Sequence, residues 1–145
     1  MPKHAEVITL KHYGIYQSWD KVGRGLPKIK EVTEYIPAIV DIEFGLTINV
    51  KRAKGIKLDW CIDHPQITDK KGKTMQPFTG REFVKTNDWD FYLGDTIWAP
   101  IEDKAGPWHI YIEYNDKIVI EKTFEVSIED EFFHKQNQFW KRRGF

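Results

Sequence analysis

Cysteine is almost absent: Cys61 is the only one in 145 residues, so no intramolecular disulfide can form and a disulfide-stapled scaffold is excluded. Long apolar runs are also missing. No stretch approaches the roughly 18 consecutive apolar residues of a membrane-spanning helix. The opening residues, MPKHAEVITLKHYG, lack an apolar core followed by a small-residue cleavage site, so the expected compartment is the cytoplasm. Neither sign of charge is in excess. Lys plus Arg and Asp plus Glu number 22 each, which gives nucleic acid or an anionic membrane no general attraction, and neither is expected as a partner. No Gly-x-Ser-x-Gly elbow, P-loop, dinucleotide fingerprint or His-Glu-x-x-His pair occurs. The expectation is a protein that is not an enzyme and carries no cofactor. The five histidines are scattered without ligand spacing, so Asp63, His64 and His109 form no closed ligand set and no metal site is expected. Cys61 and His64 are three apart in an extended pattern and point to opposite faces, so Cys61 reads as a structural thiol rather than a nucleophile.

What the chain has in abundance is alternation. Hydrophobic residues make up 41% and aromatics 14%, enough for a packed core at the common size of one domain. The stretch Gly106 to Val126 reads as a β-hairpin: Trp108, Ile110, Ile112 and Tyr114 share a face of one arm, and Ile118, Ile120, Lys122, Phe124 and Val126 share a face of the other. Asn115 and Asp116 supply its turn, being tolerant of positive φ. Ile42, Phe44, Leu46, Ile48 and Val50 form a period-2 stripe that marks a core strand. After a turn at Ala53 to Gly55, the stripe Ile56, Leu58, Trp60 and Ile62 suggests a second hairpin, stopped by His64-Pro65. Glu6 to Trp19 suits a first strand with Gly14 as a bulge, and Asp20 to Lys30 reads as a basic surface loop. Asp69 to Lys73 is a polar turn before a short edge strand at Phe78 to Val84, and Asp88 to Trp98 is a strand interrupted by Gly94.

About seven short strands without a strong internal helix point to a mainly β fold, an antiparallel β-sandwich of immunoglobulin-like topology, with a closed barrel as the competing architecture. One domain is expected over residues 1–127, followed by a tail over 128–145. Ser127 to Asp130 has capping-box character, and Lys141 to Arg143 suits a helix C-terminus, so residues 128–142 are predicted to form an amphipathic helix. Phe132, Phe133, Phe139 and Trp140 gather on one face of that helix.

A family resemblance rests on Tyr13-Gly14-Ile15-Tyr16, on Ile36-Pro37-Ala38 with Phe44-Gly45, and on Gly106-Pro107-Trp108 with Lys122-Thr123-Phe124-Glu125-Val126. Together these resemble a bacterial family of small immunoglobulin-like β-sandwich proteins known only as a domain of unknown function. The likeness covers about Glu6 to Val126. It implies a fold and offers no catalytic residues to carry over.

Two functional readings compete. In the first, the chain is a non-enzymatic interaction module that associates with a second copy or another protein through an exposed sheet edge, through the aromatic face of Phe132, Phe133, Phe139 and Trp140, or through both. The alternative is a small-ligand or carbohydrate binder in which Trp89, Phe91, Tyr92 and Trp98 line an exposed groove, while Trp60 and Trp108 serve the core.

Overall fold

A computed structural model describes residues 5–17 and 25–128 of the chain. The alternating segments become nine strands: β1 (Val7–Tyr16), β2 (Ile29–Val32), β3 (Tyr35–Pro37), β4 (Glu43–Lys51), β5 (Lys57–Asp63), β6 (Phe78–Phe83), β7 (Asp88–Thr96), β8 (Gly106–Tyr114) and β9 (Lys117–Ser127). They form two sheets, one in the order β2-β1-β4-β7 and the other in the order β3-β9-β8-β5-β6. The result is a β-sandwich with two more strands than the sequence suggests. The additional ones, β2 and β3, are four and three residues long, too short for a periodic signal. Pairing is antiparallel except where β3 runs parallel to β9, so the second sheet is mixed.

The core forms where the two inner faces meet. Phe44, Leu46, Ile48 and Val50 of β4 are wholly buried, as are Trp108, Ile110 and Ile112 of β8 and Phe124 of β9. Phe44 meets the edges of Trp108 and Phe124 at centroid distances of 5.2 and 5.7 Å, an arrangement in which ring edges approach ring faces. The predicted terminal hairpin is present. Asn115 and Asp116 take φ of 52° and 63°, the two successive positive values that match a tight turn to the twist of its strands. One residue of its predicted stripe departs: the register shifts between Ile112 and Glu113, which leaves Ile118 48% exposed on the outer face. A bulge of one residue reverses every side chain beyond it.

Two further expectations are corrected. The stripes of β4 and β5 do not form a hairpin, because β4 lies in the first sheet and β5 in the second. Alternation reports which side is buried, not which strand is the neighbour. The chain crosses between sheets at Arg52 and Gly55, with φ of 58° and 90°, and the Gly55 amide donates to Val84 O. Gly14 is not the bulge in β1 either; the pairing with β4 slips between Leu10 and His12 instead. Gly14 sits in register with Gly45 at φ +136°, where a Cβ would stand 2.0 Å from Glu31 O of β2.

The loop between β7 and β8 holds a lysine among the apolar residues. Lys104, at the end of a 3-10 turn (Glu102–Lys104), is fully buried; its Nζ donates to Pro100 O at 2.8 Å, pairs with Asp103 at 2.5 Å and lies 4.3 Å from the Trp98 ring centre. Its carbonyl accepts the Trp108 Nε1–H at 2.8 Å. A buried ammonium persists only with such partners. The predicted tail helix and its aromatic face, Phe132, Phe133, Phe139 and Trp140, lie outside the described residues, apart from Ile128 at its start. Among the described residues no helix is long and apolar enough to cross a membrane.

Candidate functional site

The four aromatics of the expected groove do not converge. On β7, side chains alternate, so Trp89 and Phe91 face the sandwich interior beside Val50 and Ile48, whereas Tyr92 lies on the outer face beside Thr47. Trp89 and Phe91 are half-buried and stack with centroids 5.2 Å apart and planes 13° apart. Trp98 is half-buried elsewhere, packed at 6.3 Å from both Phe78 and Trp108. Trp60 and Trp108 do serve the core as expected, although Trp60 keeps partial exposure where its ring lies over Gly80.

Tyr92 belongs to a polar cluster on the outer face of the first sheet. Its hydroxyl donates to Glu43 Oε2 and lies 3.0 Å from Phe44 O, and Thr96 Oγ1 donates to Glu43 Oε1 at 2.7 Å. Tyr16 shares a 2.7 Å hydrogen bond with Thr47 Oγ1, and its ring meets Tyr92 edge-on at 4.7 Å. Glycine makes the space: Gly14, Gly45 and Gly94 sit side by side across β1, β4 and β7, and a Cβ on Gly94 would stand 2.2 Å from both Phe44 O and the Tyr92 hydroxyl. Burial pushes the Tyr16 hydroxyl up to about 12, against the opposing pull of the Thr47 hydrogen bond. Tyr92 is raised further, first by burial and then by the Glu43 carboxyl. This cluster is a locked element, with its polar atoms turned on one another. Sequence reasoning missed it because Glu43 and Thr47 occupy the polar half of an alternating strand, the half that ordinarily faces water.

The outer face of the second sheet carries a shallow groove lined by Asp59, Cys61, Thr79, Arg81, Tyr111 and Glu113. Cys61 is buried at 6% exposure, as a structural thiol requires, and Tyr111 beside it is raised to about 12, chiefly by its hydrogen bond with Cys61 and then by desolvation. Arg81 and Asp59 pair across it at 2.8 Å, both more than half exposed. His64 is spent on its own loop, its ring nitrogens 2.6 and 2.9 Å from Pro65 O and Gln76 O, so it does not serve Cys61. Among the described residues no group of three His, Cys, Asp or Glu side chains converges to hold a metal.

The sheet edges differ sharply. On the β1–β9 side an inward-facing lysine, Lys122, closes the sandwich: it pairs with Glu34 at 2.5 Å and lies 3.9 Å from the Tyr13 ring centre. Its ammonium is held above the usual lysine range mainly by the Glu34 hydrogen bond. On the opposite side, among the described residues, β7 is an edge of nine residues, longer than the other sheet edges β6, β2 and β3 of six, four and three residues. The stacked pair Trp89 and Phe91 lies on its inner side. On its outer side Asn49 Nδ2 donates to Asp88 Oδ1 at 2.7 Å and to Asp90 Oδ1 at 2.8 Å, which fixes two carboxylates in a row. Lys11 reaches Asp90 at 3.2 Å, and Asp90 is held below the usual carboxylate range first by the Asn49 hydrogen bond and then, to a lesser degree, by Lys11.

Residues 4–126 match a family described as a domain of unknown function, DUF3859. The chain belongs to this family. The DUF3859 match ends at Val126, one residue before the end of the last strand, and so spans all nine strands but for Ser127. It bears out the resemblance drawn from the sequence over Glu6 to Val126. An immunoglobulin-like protein from Pseudomonas aeruginosa is similar to the DUF3859 sandwich with a TM-score of 0.67 at 17% identity, over 83% of this chain and 97% of its own. At that identity the likeness establishes the immunoglobulin-like fold alone. A Pseudomonas fluorescens alkylpurine DNA glycosylase, bound to DNA containing an abasic-site analogue, aligns at a TM-score of 0.43 and 11% identity, over 82% of this chain and 30% of its own. A likeness that weak carries no argument. No match is found among curated proteins.

Proposed function

We propose that this immunoglobulin-like sandwich is a non-enzymatic interaction module that engages a protein partner through an exposed sheet edge, with β7 as that edge. The observation that carries the reading is the asymmetry of the sandwich's two open sides. One is closed by the Lys122 ion pair with Glu34 over Tyr13, whereas the other presents, among the described residues, the longest of the four sheet edges, nine residues with half-buried aromatics beneath them. An edge strand offers a row of backbone N–H and C=O groups to a further strand, the basis of recognition by strand addition. The aromatic tail residues Phe132, Phe133, Phe139 and Trp140 are a second candidate contact, on the strength of their predicted amphipathic spacing alone.

Site-specific photocrosslinking in cells tests the reading. A photoreactive side chain at Asp90 on β7 is expected to give a discrete protein adduct that the same group at Asp59, on the opposite sheet's face, does not. Adducts from Asp59 and none from Asp90 would reject β7 as the contact. A third position at Phe139 reports on the tail.

A further inference from the structure

We infer that the β7 edge recognises an extended peptide in which basic and apolar residues alternate. The inference rests on the interaction reading above and adds the chemistry of the partner. A strand laid beside β7 would continue the sheet at about 4.8 Å, with its side chains falling alternately on the two faces that β7 already presents. On the outer face they stand next to Asp88 and Asp90, and on the inner face next to Trp89 and Phe91. Residues two apart repeat at about 6.7 Å in any strand, so two basic residues flanking an apolar one match the spacing of Asp88, Trp89 and Asp90 without strain. Asn49 bridges the two carboxylates and holds them in that spacing before anything binds. Two cations already stand beside the pair, Lys11 on Asp90 at 39% and 40% exposure and the exposed Lys51 in register with Asp88 on β4. Such surface contacts are weak and leave the side of the carboxylates away from β4 to an incoming ammonium.

Charge also decides against the simplest competing occupant, a second copy pairing β7 with β7. The strand reads DWDFYLGDT, with three aspartates and no basic residue, so a second β7 laid against the first would bring no cation to Asp88 or Asp90. The same feature that protects the edge from self-association favours a basic partner.

The test is fluorescence anisotropy with the full chain and a labelled nine-residue peptide of alternating lysine and valine, matched to the length of β7. Two controls accompany it: alternating glutamate and valine, and alternating lysine and proline, the last retaining charge but lacking alternate backbone donors. The lysine–valine peptide is expected to bind, to weaken with added salt, and to lose affinity at least tenfold in the double variant Asp88→Lys/Asp90→Lys. Asp59→Lys on the other sheet should leave binding unchanged. The neutral pair Asp88→Asn/Asp90→Asn is the second variant should the lysines disturb folding, as judged by circular dichroism, and should lose affinity in the same direction. Failure of the lysine–valine peptide to bind, equal binding of either control peptide, or an unaltered affinity in the aspartate variants overturns the inference. If that happens while Asp90 still gives a discrete crosslinked partner, the interaction reading survives and only the partner chemistry falls; if both experiments are silent, both fall.

Discussion

Replacing Tyr92 by phenylalanine isolates the polar lock on the first sheet. The ring stays, and with it the 4.7 Å edge contact to Tyr16; only the hydroxyl that donates to Glu43 and lies 3.0 Å from Phe44 O is removed. Glu43 is 7% exposed, so water cannot readily replace the lost donor, and the carboxyl keeps Thr96 at 2.7 Å. Removing one partner of a buried carboxyl costs about 2 to 3 kcal/mol, above the ~1 kcal/mol typical of neutral pairs. For a domain of this length that corresponds to a fall in Tm of about 8 to 12 °C. Tyr16→Phe is the internal comparison: it breaks the 2.7 Å bond to Thr47, a neutral hydroxyl, and is expected to cost about 1 kcal/mol. Chemical denaturation with both variants, with Glu43→Gln, and with Tyr92→Phe combined with Glu43→Gln measures the coupling directly. A cost for Tyr92→Phe below about 0.5 kcal/mol, or one no larger than that of Tyr16→Phe, would refute the claim that Glu43 depends on it.

Three more outcomes follow from the same geometry. Gly94→Ala should destabilise strongly, since the new Cβ would sit 2.2 Å from both Phe44 O and the Tyr92 hydroxyl; a melting temperature equal to wild type would show that the face is loosely packed. Alkaline stability should fall in a defined window. The Tyr16 hydroxyl is raised from 10.0 to about 12, so its contribution is fully present below pH 10 and is lost as pH rises towards about 12, the unfolded chain ionising first; tyrosinate absorbance that saturates near pH 10 in the folded protein would contradict this. Cys61, at 6% exposure, should resist alkylation in the folded state and react rapidly in denaturant, whereas rapid reaction of the native protein would show an accessible thiol.

The sandwich was legible because alternation and turn chemistry are local signals. The β4 stripe, the β8–β9 hairpin with its Asn115-Asp116 turn, and the edge strand at Phe78 were all readable from spacing. Strand partnership was not, because a buried stripe is equally compatible with a hairpin and with a crossing between sheets, as β4 and β5 show. The four-aromatic groove failed on the same period: Phe91 and Tyr92 are adjacent, and adjacent residues of a strand face opposite ways. The Glu43 lock and the asymmetry of the open sides depend on which strands lie side by side, and no single stretch of sequence carries that. Lys104 lay in a Pro-flanked stretch that reads as a surface loop, where a lysine is expected in water rather than fully buried against Trp98.

The central claim is that β7 is the docking edge, and backbone amide shifts test it most directly. Titrating the isotope-labelled protein with the lysine–valine peptide should move the amide resonances of residues 88–96, with smaller changes across β4, the strand paired to β7. Perturbations centred instead on β6 or β3, or spread evenly over both sheets, would contradict the account.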